Sequence, residues 1–124
     1  MKIFKLWIPV VAWAGIIFYF SGVSDLKTNL EYDFVLRKIA HIAEYFILTF
    51  LLYRAFRGSF IMNPLRLFMY AGAFALLYAI FDEVHQFFVL SRYCSTQDVL
   101  IDAIGIFAFY IIIRFTKGPL CLTK

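Results

Sequence analysis

Four long apolar runs, separated by short polar stretches, organise the 124-residue chain. They cover about residues 6–23, 39–56, 67–88 and 98–115. Each approaches the roughly 20 mostly apolar residues that cross a bilayer. Hydrocarbon offers no partner for a backbone N–H or C=O, so each run is expected to be helical. The predicted fold is all-α: a polytopic membrane protein, a four-transmembrane-helix bundle forming one domain over residues 1–124. Helix breakers fall where loops are needed. Gly58, Asn63 and Pro64 separate the second run from the third, and Gly118 and Pro119 follow the fourth. Pro9 is expected in the first turn or so of the first helix, where a missing N–H costs nothing. Lys2 and Lys5 precede the first run as they would in a secretory signal. The run is long and bulky, however, and no A-x-A site follows, so it reads as an uncleaved anchor.

Composition makes lipid the expected solvent. Hydrophobic residues are 64% of the chain and charged ones 16%, against roughly 25% charged in an average soluble domain. The net charge of +4 is too small and too scattered to suggest nucleic acid, so the expected partners are membrane lipids. Its distribution bears on orientation. Lys2, Lys5, Arg54, Arg57, Arg66, Arg114, Lys117 and Lys124 lie on the side of both termini; Lys27, Arg37, Lys38 and Arg92 lie on the other. This asymmetry places both termini in the cytoplasm, with the protein multi-pass in the cell membrane. Cys94 and Cys121 have no CxxC or metal-ligand spacing and would lie on opposite sides, which excludes a disulfide between them.

One stretch breaks the apolar pattern. "AIFDEVHQFF", residues 79–88, crowds Asp82, Glu83, His85 and Gln86 into five positions. The second helix enters from the same side with Lys38, His41, Glu44 and Tyr45, and the fourth with Asp98 and Asp102. At 1.5 Å per residue, Glu44, Asp82 or Glu83, and Asp102 all sit roughly 9 Å inside the outer boundary. Helical spacing puts His41 with Glu44 and Tyr45, Asp82 with His85 and Gln86, and Asp98 with Asp102 and Gly105 on shared faces. A charge in hydrocarbon costs at least about 2.5 kcal/mol, so these groups are expected to face one another, a cation or a wet cleft. Gly105 on that stripe lets a neighbouring helix come close.

The same residues resemble the signature segments of the VanZ-like membrane proteins, a family named for a protein linked to resistance to the glycopeptide teicoplanin. "KIAHIAEYFIL" carries Lys38, His41, Glu44 and Tyr45 of a K-x-x-H-x-x-E-Y pattern. "FDEVHQFFVLSR" carries Asp82, Glu83, His85, Gln86, Phe88 and Arg92 of the second, and "STQDVLIDAIG" carries Ser95, Asp98 and Gly105 of the third. Ser21 matches a short F-S-S segment after the first helix. Leu90 replaces a usual proline, and Asp102 stands where asparagine is common.

The chemistry remains open between classes. In one reading the chain works on an outer-leaflet lipid: His41, Glu44, Asp82, Glu83 and His85 supply acid and base, as a crowded carboxylate and an imidazole can. Lys38, Tyr45, Gln86, Arg92, Ser95, Asp98 and Asp102 then hold a phosphate-bearing lipid or lipid-linked cell-wall precursor, arginine suiting phosphate especially. In the other, the cluster binds or relays protons without covalent chemistry. The histidines and carboxylates could also take a divalent metal, although no H-E-x-x-H pattern selects one and none is required. Ser21, Ser91 and Ser95 lack a G-x-S-x-G elbow, which argues against a serine nucleophile.

Overall fold

The computed structural model describes residues 2–23, 32–90 and 96–116. Those residues form four helices: α1 (Lys2–Gly22), α2 (Asp33–Ser59), α3 (Pro64–Phe87) and α4 (Thr96–Thr116). Each predicted run lies in one helix, and most helices extend a few residues further. α3 starts at Pro64 because the Asn63 side chain accepts the Arg66 N–H at 2.8 Å, capping the end, and Pro64 suits the first turn. α2 begins six residues ahead of the apolar run, at Asp33, so Arg37 and Lys38 are helical. Pro9 differs from expectation. α1 starts at Lys2, which puts Pro9 inside the helix and denies the Lys5 carbonyl its usual donor.

Contacts at both ends show helices that alternate in direction. Near the termini, Trp7 Nε1 donates to Ser59 Oγ at 3.1 Å. Towards the other end, Tyr78 Oη donates to the Ala14 carbonyl at 2.6 Å, and His41 meets Asp102. α2 is the hub and packs on all three other helices, most extensively on α4, whereas α1 and α4 do not pack on each other.

Small residues permit this closeness. Ala71, Ala75 and Ala79 form a fully buried stripe on α3, one turn apart. The stripe runs on through Asp82 and Gln86, so the face that admits the neighbouring backbones also carries the polar groups inward. On α4 the buried face is Asp102, Gly105, Ile106 and Phe109. The exterior is the reverse of a soluble protein's, with Phe4, Phe87, Phe107 and Phe115 among many exposed large apolar side chains. Three helices, α1, α3 and α4, are long and apolar enough to cross a membrane.

Candidate functional site

At the ends of α2, α3 and α4 remote from Lys2, four of the anticipated side chains share one small cavity. It measures about 100 Å³, and His41, Glu44, Asp82 and Gln86 line it together with Arg37 and Ser21. Water takes roughly 30 Å³ per molecule in the liquid, so the space suits a few waters or one polar head of similar size.

Each wall follows from local helical geometry. Arg37, His41 and Glu44 are one turn apart along α2, and Asp82 and Gln86 one turn apart along α3. The Gln86 amide donates to Asp82 Oδ2 at 3.1 Å, which orients the carboxyl. His41 Nδ1 lies 3.0 Å from Asp102 Oδ1, joining α2 to α4. Asp102 is wholly buried and His41 partly so, so this contact is screened far less than a surface pair. Gly105, one turn further along α4, makes it feasible: a Cβ there would run into the Ile42 carbonyl of α2.

Four buried polar atoms give the cluster its chemical interest. Tyr45 Oη, Asp82 Oδ1 and Asp102 Oδ2 have no hydrogen-bond partner among the described residues. The Ser21 hydroxyl faces the Asp82 carboxyl without the geometry of a hydrogen bond. An unmet buried polar atom costs about 1–3 kcal/mol, so a further donor or a proton is favoured at these acceptors. Tyr45 is fully buried, and its hydroxyl is near enough to Asp82 and Asp102 for their negative charge to oppose its ionisation.

The remaining anticipated residues lie apart from the cavity. Glu83 is buried next to Asp82 in sequence, yet it turns to another face of α3. His85 stacks on Phe18 of α1 with ring centroids 4.2 Å apart. Lys38 lies over the Phe34 ring, 4.3 Å from its centroid, and Arg37 takes the cavity wall instead. Asp98 sits one turn before Asp102 and within its electrostatic reach. Arg92 and Ser95, like Cys94 and Cys121, lie outside the described residues. Arg37 escaped the sequence reading because Lys38 fits the same motif; the spacing of residues 37, 41 and 44 was the available signal. Among the described residues, no three His, Cys, Asp or Glu side chains are grouped to hold a metal ion.

The VanZ/LLP1 family profile matches residues 3–117, nearly the whole chain. The chain belongs to the VanZ/LLP1 family. It is also similar to the uncharacterized membrane protein YwnJ of Bacillus subtilis (strain 168), with 40% identity over 101 residues. That match takes in 75% of this chain and 65% of the relative, so it spans just under two thirds of the relative's length. No solved structure matches. The family and its relative agree with the apolar exterior: this is a membrane protein with a buried polar cluster at one end of its helices.

Proposed function

We infer that this protein binds, or acts on, the polar head of a phosphate-bearing lipid or lipid-linked envelope component at the outer face of the bacterial cytoplasmic membrane. The observation that carries this reading is the cavity, because it sets an arginine beside the carboxylates of Glu44 and Asp82 at the end of the helices remote from the termini. Exposed Arg37 at its mouth offers the planar fork that suits phosphate. Asp82 Oδ1 and the neighbouring acceptors inside suit hydroxyl or ammonium donors on the same head. An anion alone would meet Glu44 and Asp82 and be repelled, so the favoured ligand bears both phosphate and donor hydrogens.

All four helices span in this reading. The charged residues of α2 cluster near its ends as Arg37 and Lys38, and as Arg54 and Arg57, while Glu44 faces the cavity. With both termini cytoplasmic, the cavity opens outward, where a glycopeptide such as teicoplanin meets its target. A second reading, proton relay without covalent chemistry, is supported by the buried His41–Asp102 contact and by Asp82 on the same cavity wall as His41.

The test compares Glu44→Gln and Arg37→Gln with wild type for membrane abundance and for glycopeptide sensitivity. The amide keeps the shape of glutamate but carries no charge. Both variants are expected to insert at normal abundance and to lose the effect. Loss of effect in step with abundance would reduce the cluster to a structural network.

A further inference from the structure

We propose that the opposite end of the bundle holds a second site, a groove between α2 and α4 that seats an anionic phospholipid from the leaflet on the side of the termini. The groove encloses about 690 Å³ and is floored by Phe46, Phe50, Phe109 and Ile112, with Arg54 and Arg57 at its end. That volume lies within the roughly 300–1,000 Å³ of small-molecule sites. Its floor is continuous, because Phe109 meets the Phe46 and Phe50 rings edge-on at centroid distances of 5.7 and 6.0 Å. An acyl chain is the apolar group that the bilayer supplies at this depth.

Charge identifies the head group. Among the described residues, the carboxylates of Glu44, Asp82, Glu83, Asp98 and Asp102 all lie towards the far end of the bundle. Among the described residues, the groove end therefore has arginines and no carboxylate side chain beside them. Arg54 and Arg57 are exposed and share the groove, one turn apart on α2. Two such forks can hold a phosphate between them, and basic pockets between membrane helices bind anionic head groups in this way. The phosphate rests on the arginines while one acyl chain lies along the phenylalanines, so both parts of one lipid are satisfied at once. This site is separate from the polar cavity and does not depend on what that cavity binds.

The experiment is native mass spectrometry of the detergent-solubilised full chain with added phosphatidylglycerol or phosphatidylcholine. Wild type is expected to retain one phosphatidylglycerol in preference to phosphatidylcholine. Arg54→Gln and Arg57→Gln should each weaken retention of phosphatidylglycerol roughly tenfold, the scale of one lost charge-assisted hydrogen bond. Arg66→Gln, which removes a cation at the same end but outside the groove, should leave it unchanged. Ile112→Trp fills the groove, keeps both arginines, and should also displace the lipid. Equal retention of the two lipids would overturn the proposal. So would an Arg66→Gln loss as large as the others, a silent Ile112→Trp, or a dimer that covers the groove without lipid.

Discussion

Replacing Gly105 by alanine tests whether the approach of α4 to α2 holds the polar cluster together. The added methyl would collide with the Ile42 carbonyl oxygen and lie 3.1 Å from both Ile42 C and Phe46 N. Those atoms are helix backbone, which cannot swing aside as a side chain can. Restoring ordinary contacts near 3.5 Å requires the helices to part by on the order of 1 Å. His41 and Asp102 lie within one turn of the contact, so their 3.0 Å separation would open to beyond hydrogen-bonding range. Overpacking costs typically about 1–3 kcal/mol, and the broken pair adds to it. The assay is reversible unfolding in mixed micelles, with Gly15→Ala as the control. Nothing lies within 4 Å of where the Gly15 methyl would go, and alanine is the better helix former by about 1 kcal/mol. Gly15→Ala should therefore be neutral or stabilising. If Gly105→Ala proves as stable as Gly15→Ala, the close α2–α4 contact does not support the cluster.

Three further outcomes follow from particular contacts. Asp102→Asn keeps a hydrogen-bonding partner for His41 and should cost no more than about 1 kcal/mol, whereas Asp102→Leu leaves the half-buried imidazole unpartnered and should cost about 1–3 kcal/mol; equal melting of the two variants would show that this hydrogen bond contributes nothing to stability. Tyr78→Phe removes the bond to the Ala14 carbonyl that ties α3 to α1, and should destabilise by about 0.6 kcal/mol and at most about 1.7, the range for hydrogen bonds within membranes; a larger loss in the unfolding assay would mean that the ring has moved. In a chain whose native cysteines are replaced, Leu90→Cys should react with a membrane-impermeant maleimide on intact cells and Ile61→Cys should not, both positions being exposed; the reverse pattern would turn the proposed orientation inside out.

Much of the architecture is legible in the linear chain because lipid constrains it so severely. A segment in hydrocarbon must satisfy its own backbone, so four apolar runs already imply helices, and a break as short as residues 60–63 implies neighbours that reverse direction. The depth of Glu44, Asp82 and Asp102 follows from the helical rise alone, which is why their gathering at one end could be anticipated. Composition cannot specify helix rotation, because an apolar side chain is equally at ease against lipid or protein. Only packing decided that Asp82, and not Glu83, faces the cavity, through the alanine stripe that brings α3 against its neighbours. Packing likewise sent His85 to the Phe18 ring, chose Arg37 over Lys38, and paired His41 with Asp102 across the gap that Gly105 keeps narrow. Depth is a property of one helix, and so it is written in sequence order; partnership belongs to two helices, and their close approach determines it.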